Sequence, residues 1–200
     1  YSKFIGPGPT VARDNYFHDA RTIAYRWRSS RPRFENNVFA RFERPDASFD
    51  IVQGGPVEEA VFRNNTFDLG PWAMNAEGTR GGMGWNDLPH VFRDNVVFGS
   101  GYNARTPARS SDIDGNCLIG PPGSASAPSR SRSRDGAGAL TWEQYRSSSG
   151  FDRNGRRIIE RRPEAVFRDP AGGDYTLVGE AAALCAGKGA TQPSSAARRA

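Results

Sequence analysis

The apolar and polar positions of this chain repeat in a short unit: an apolar residue, two or three polar residues ending in Asn, then a β-prone pair. It reads Arg13-Asp14-Asn15-Tyr16-Phe17, Phe34-Glu35-Asn36-Asn37-Val38-Phe39, Phe62-Arg63-Asn64-Asn65-Thr66-Phe67 and Phe92-Arg93-Asp94-Asn95-Val96-Val97, with a weaker fifth copy, Ile113-Asp114-Gly115-Asn116-Cys117-Leu118. The Asn residues are 22, 28, 30 and 21 positions apart, the period of a solenoid with loops of variable length. Asn tolerates left-handed backbone torsions and bonds to neighbouring backbone, so it suits a tight corner between two strands. Stacked one above another at about 4.8 Å, Asn15, Asn37, Asn65, Asn95 and Asn116 are expected to form an amide ladder. Phe62 and Phe67 are expected to point inward and stack on Phe92 and Val97, since only stacked units can bury such a face. A β-sandwich with Asn-rich turns is the competing reading, and four close copies in one register speak against it.

These corners resemble the right-handed parallel β-helix superfamily, the pectate-lyase-like fold of polysaccharide-active proteins, over roughly residues 11–189. The closing stretch adds to the resemblance: Ala165-Val166-Phe167-Arg168-Asp169-Pro170, then Gly173-Asp174-Tyr175-Thr176-Leu177, then a small-residue turn over 181–187, with Cys185 and Ala186 departing from the usual acidic ending. The implied fold is all-β, a right-handed parallel β-helix of about five coils. Residues 1–120 carry the coils, 121–138 a mobile low-complexity loop, 139–190 a short helix and the closing segment, and 191–200 a tail. Thr141-Trp142-Glu143-Gln144 fits a capping box and predicts the helix over 141–147.

Between the Asn copies lie 22–27, 48–53, 71–76 and 101–104, which alternate as half-buried strands do and are assigned to the sheet that carries clefts in β-helix enzymes. The longest insertion, 77–90, is a Gly-rich loop of the kind that binds ligands on rigid scaffolds. Arg26, Asp50, Glu77, His90 and Tyr102 are the candidate catalytic residues, with Arg28, Gln53, Trp72, Asn75, Trp85, Asp87, Asn103 and Arg105 as candidate substrate contacts. A hydrolase needs two carboxylates across a cleft, and Asp50, Glu77 and Asp87 are the set. A lyase neutralises a uronate with Arg26, Arg28 or Arg105 and abstracts the adjacent proton with His90 or Tyr102. The structural alternatives are that Trp72 packs under the loop, Asp87 caps a turn and His90 opens a strand.

Composition changes this picture only in part. With 23 Gly, 14 Pro and 36% hydrophobic residues, much of the 200-residue chain is turn and loop, which argues against a helical bundle. Arginine makes up 25 of the 27 basic residues, a bias expected of a bacterial genome and suited to gripping carboxylates and sulfates. The net charge of +5 fits an anionic polysaccharide partner; the spread of basic residues does not indicate nucleic acid, and no apolar run approaches the roughly 20 residues of a membrane helix. No Asp-rich calcium loop or zinc-type Cys/His spacing is present, so neither a metal nor another cofactor is expected. Cys117 and Cys185 suit either one disulfide or two buried thiols. Asn64-Asn65-Thr66 matches a glycosylation sequon, read as coincidence because Asn65 is a ladder position. A chain opening at Tyr1 without Met is expected to be a processed product or fragment, secreted or at the cell surface, with a preceding segment or chain covering its raw N-terminal edge. The fold leaves a carbohydrate-active lyase or hydrolase open beside a non-catalytic adhesin, spike or matrix component.

Overall fold

The computed structural model describes residues 10–19, 31–41, 60–68, 89–99, 110–120 and 141–191, and the backbone of short strands at 3–4, 26–27, 49–50 and 83–84. In chain order the strands are β1 (Lys3–Phe4), β2 (Val11–Arg13), β3 (Tyr16–His18), β4 (Arg26–Trp27), β5 (Arg33–Glu35), β6 (Val38–Ala40), β7 (Phe49–Asp50), β8 (Val61–Arg63), β9 (Thr66–Asp68), β10 (Met83–Gly84), β11 (Val91–Arg93), β12 (Val96–Phe98), β13 (Asp112–Asp114) and β14 (Cys117–Gly120). Helix α1 (Trp142–Ser149), β15 (Arg156–Ile159), an antiparallel pair β16 (Phe167–Asp169) and β17 (Asp174–Leu177), and α2 (Gly179–Leu184) follow. The protein is mostly β, built on parallel sheets with these two short helices.

Each Asn repeat gives one strand to each of two parallel sheets. One sheet runs β13-β11-β8-β5-β2 and the other β15-β14-β12-β9-β6-β3. Register is strict: Phe34, Phe62 and Phe92 stand opposite one another in the first sheet, and Phe17, Phe39 and Phe67 in the second. Both columns point inward. Phe17, Phe39 and Phe67 stack at 4.9 and 5.0 Å, Phe34 and Phe62 at 5.0 Å, and Phe62 meets Phe92 at 6.1 Å in a tilted pair. Phe67 sits in register with Val97, and it packs across the corner against Phe92 at 6.0 Å.

The corner divides its work between two residues. Asp14, Asn36, Asn64, Asp94 and Gly115 adopt φ between 52° and 73°, while the Asn after each supplies the ladder side chain, buried in the four later copies and exposed at Asn15. The corner Asn is expected to make the left-handed turn and the ladder alike; the turn falls instead to the residue before it, exposed or half-exposed at Asp14, Asn36, Asn64 and Asp94 and buried at Gly115, because the ladder residue must keep its amide inside. Asn37, Asn65, Asn95 and Asn116 are all fully buried. Each Oδ1 accepts from both the backbone N–H and the Nδ2 of the Asn one repeat earlier, at 2.9–3.1 Å. Each Nδ2 also donates to a carbonyl of the earlier repeat, those of Ala12, Phe34, Phe62 and Phe92.

The column ends on a carboxylate. Asp152 is fully buried, and its Oδ1 accepts from the N–H and Nδ2 of Asn116 at 3.1 and 2.8 Å, while Tyr145 on α1 donates to its Oδ2 at 3.3 Å. A carboxylate brings no donor, so no further acceptor is required beyond it. The chain makes this turn tightly: a Cβ on Gly155 would stand 2.8 Å from the Cβ of Asp152 and 3.0 Å from the carbonyl of Asn116. Helix α1 forms by the expected capping box at Thr141 and runs to Ser149, two residues past its expected end.

The outer face of the six-stranded sheet is buried as well. Val38, Ala40, Val96, Phe98, Cys117, Ile119 and Ile158 pack under Val166, Phe167, Tyr175, Ala181 and Cys185 of the closing segment. Strands covered on both faces read as continuous apolar runs rather than alternating ones. Residues 179–184, partly read as the start of a small-residue turn, are the helix α2, after which Cys185 is disulfide-bonded to Cys117. From there the chain runs back across the repeats as a strap. Gly189 N–H donates to the Asp94 carbonyl at 2.7 Å, Ala190 N–H to Thr66 Oγ1 at 3.0 Å and Thr191 N–H to Asn36 Oδ1 at 2.6 Å. Only glycine fits at 189, where φ is +76° and a Cβ would come within 2.7 Å of Thr66 Oγ1.

Replacing Asn65 by Leu leaves several buried partners without bonds and should lower unfolding free energy by about 4 kcal/mol in urea titrations, against about 1 kcal/mol or less for Asn15→Leu. The Cys117→Ser, Cys185→Ser double variant releases a 68-residue loop constraint and should lose about 4 kcal/mol in the same titration.

Candidate functional site

Two further strand pairs lie outside the two main sheets. β1 pairs in parallel with β4, Lys3 opposite Arg26, and β7 pairs in parallel with β10, Asp50 opposite Gly84. Arg26 and Asp50, the two candidate catalytic residues described here by their backbone, therefore sit on strands that repeat from one unit to the next. The partner of β7 falls at 83–84, inside the segment expected to be a loop. Glu77, Tyr102, Arg28, Gln53, Trp72, Asn75, Trp85, Asp87, Asn103 and Arg105 lie outside the described residues, as do 71–76, 101–104 and the 121–138 stretch.

His90 is described in full, and it is a core residue. It is 1% exposed, its Nδ1 accepts the backbone N–H of Ala60 at 3.1 Å, and its own N–H donates to Ser111 Oγ at 3.1 Å. It precedes β11, the strand-opening place weighed in the sequence, and it joins three successive repeats just before their first strands. Burial holds its imidazole neutral, with the pKa pushed down to about 4.

The outer face of the five-stranded sheet carries arginine on four successive strands. Arg13, Arg33, Arg63 and Arg93 come from β2, β5, β8 and β11 and alternate with the inward column of Ala12, Phe34, Phe62 and Phe92. Arg13 pairs with Glu35, and Arg93 with Asp112 at 3.0 Å and Asp114 at 3.6 Å. Arg33 and Arg63 are exposed and carry no ion pair among the described residues. Both hold fixed places in the repeat, Arg33 just before an inward Phe and Arg63 just after one, so they share the outer face but stand in adjoining rows, Arg33 opposite Val61 and Arg63 opposite Glu35.

Comparison with family models, curated proteins and solved structures finds no match.

A second cluster lies where β3 and β6 end, under the β16–β17 hairpin. Arg41 forks onto Asp19 at 2.8 and 2.7 Å and donates to the Ala171 carbonyl at 2.8 Å. His18 Nδ1 lies 2.6 Å from the same Asp19 carboxylate and 3.0 Å from Arg41 Nη2, so the three side chains form one cluster around Asp19 Oδ2. These contacts, Arg41 first and then His18, hold the Asp19 carboxyl down at about 2. Beneath them Tyr175 donates to the buried Asp68 at 3.0 Å, and burial pushes the phenol's pKa upward. The cluster fastens the hairpin to the first three repeats. Among the described residues no three His, Cys, Asp or Glu gather as metal ligands, and no helix is long and apolar enough to cross a membrane.

His90 makes stability depend on pH. Its folded pKa lies below the ordinary value of 6.5, so the unfolded chain binds more protons between these limits and stability falls as pH drops through that window. Between pH 7 and pH 5 the chain should lose about 2 kcal/mol by urea titration, and a His90→Asn variant should lack this component.

Proposed function

We propose that the two sheets are faces of a right-handed parallel β-helix of the pectate-lyase-like kind, and that the protein is carbohydrate-active toward an anionic polysaccharide. The observation that carries the reading is an outer sheet face with arginine on four successive strands. Arg63 and Arg93 are neighbours in one row at the strand spacing of about 4.8 Å, Arg13 shares that row beyond Glu35, and Arg33 stands in the adjoining row between Val11 and Val61. Arg33 and Arg63 are exposed and without an ion pair among the described residues. Guanidinium groups repeated along a rigid sheet suit a polymer whose carboxylates or sulfates also repeat. The Cys117–Cys185 disulfide supports a secreted or cell-surface setting.

In the lyase form of this proposal, arginine neutralises a uronate carboxylate and a base removes the adjacent proton. The burial of His90 leaves Tyr102 as that base, with Arg26, Arg28 and Arg105 as neutralising groups. In the hydrolase form, Asp50, Glu77 and Asp87 supply the carboxylate pair. A second reading, a non-catalytic adhesin, spike or matrix protein, is favoured by the ion pairs Arg13–Glu35 and Arg93–Asp112, which knit the outer face together.

Pectin, alginate and glycosaminoglycans should be offered to the protein, with binding, ultraviolet absorbance of unsaturated products and new reducing ends all measured. At least one polyanion should bind, and the Arg33→Ser, Arg63→Ser variant should bind it severalfold more weakly. Absorbance supports a lyase, reducing ends alone a hydrolase, and binding without either the second reading. No binding to any of them would overturn the polysaccharide assignment.

A further inference from the structure

The amide column has a direction, and its two ends differ. Between successive Asn residues the bonds run one way: the earlier Asn donates from its N–H and Nδ2, and the Oδ1 of the later one accepts. At the C-terminal end Asp152 receives the last pair of donors, and Arg157 stands in register beyond Leu118, its Nη1 donating to the Leu118 carbonyl and its Nη2 to that of Gly120, each at 3.2 Å. That end is closed.

At the N-terminal end the same bonds are incomplete. Asn15 donates onward to Asn37 Oδ1 through its N–H and Nδ2 at 3.0 and 3.1 Å, but its own Oδ1 accepts nothing among the described residues. In the four later Asn residues Nδ2 reaches a carbonyl of the earlier repeat; in Asn15 it folds back 2.8 Å onto the carbonyl of Arg13, two residues away. β2 and β3 are the last strands of their sheets, and Val11 on β2 is 58% exposed.

The short strands say where an earlier repeat would connect. Arg26 lies seven positions before Arg33, Phe49 twelve before Val61 and Met83 eight before Val91, each opening a short strand placed between one repeat's second sheet strand and the next repeat's first. Lys3 lies eight before Val11 and pairs in parallel with Arg26, so β1 holds this place for the layer above β2 and β3.

We propose that the edge formed by β2, β3 and Asn15 is a docking surface for one further parallel repeat of the same kind, running into Lys3. Its Asn donates from N–H and Nδ2 to Asn15 Oδ1, and a carbonyl preceding that Asn takes the Asn15 Nδ2 hydrogen now turned onto Arg13. These are the three bonds found at each of the next interfaces, so docking continues an interface already repeated through the stack. A second copy of the chain does not fit. Head to tail it presents Asp152, whose side chain has no donor, and head to head about a two-fold axis it sets Oδ1 against Oδ1. The inference rests on the ladder alone and is independent of the polysaccharide reading.

The test joins a copy of residues 33–48 ahead of Lys3, so that the copied strands fall in the first two places of the added layer. Backbone amide exchange over Val11–His18 should slow by about tenfold, and the same graft carrying N37D in the copy only should slow it far less. Unchanged exchange, or equal slowing by the Asp graft, overturns the proposal. If the graft fails to fold, the natural chain is titrated with a peptide of residues 31–41 to millimolar concentration, where a selective shift of the Asn15 side-chain amide resonance supports docking and its absence refutes it. Light scattering that shows a dimer protecting Val11–His18 also refutes it, since a second copy would then be the occupant.

Discussion

A column of buried side-chain amides holds this structure in register. Strands of three residues make few bonds of their own and would slip or fray as isolated pairs. The Asn side chains bind each corner to the one before it with bonds that only one alignment can satisfy. Inside the stack water does not compete for these groups, so a slip of one residue would leave an amide and two backbone groups unpaired, at a cost larger than any one bond contributes. The phenylalanine columns follow from that alignment: with corners locked, Phe39 has nowhere to rest but between Phe17 and Phe67.

The same column explains the asymmetry of the molecule. One flank of the stack is sealed by the closing hairpin, α2 and the strap, which together bury the second face of the six-stranded sheet and are fastened by the disulfide, the Lys188–Asp94 pair and the bonds to Asn36 and Thr66. The other flank keeps its charged outer row. The result is a layered β structure with one shielded face and one face on which arginines alternate with acidic and apolar side chains.

Much of the frame was legible in the sequence because its cause is local and repeated. The Asn spacing, the inward Phe pairs and the capping box at Thr141 each follow from a few adjacent residues. What was hidden depends on distant parts of the chain. His90 reads as a loop-end base until Ala60 and Ser111, 30 and 21 positions away, are seen to hold it. Asp152 belongs to no copy of the motif, since it enters the column from a wider turn after α1, and the left-handed duty of Asp14, Asn36, Asn64 and Asp94 is masked by the Asn beside each. Arg33 and Arg63 are hidden among twenty-three other arginines in the sequence, and only strand register shows which ones share a face.

Hydrogen exchange of the side-chain amides themselves probes the column most directly. The Nδ2 protons of Asn37, Asn65, Asn95 and Asn116 should exchange only when the whole domain unfolds, while those of Asn15 should exchange far sooner. If all five exchanged at the rate of surface amides, the stack would owe its register to something else.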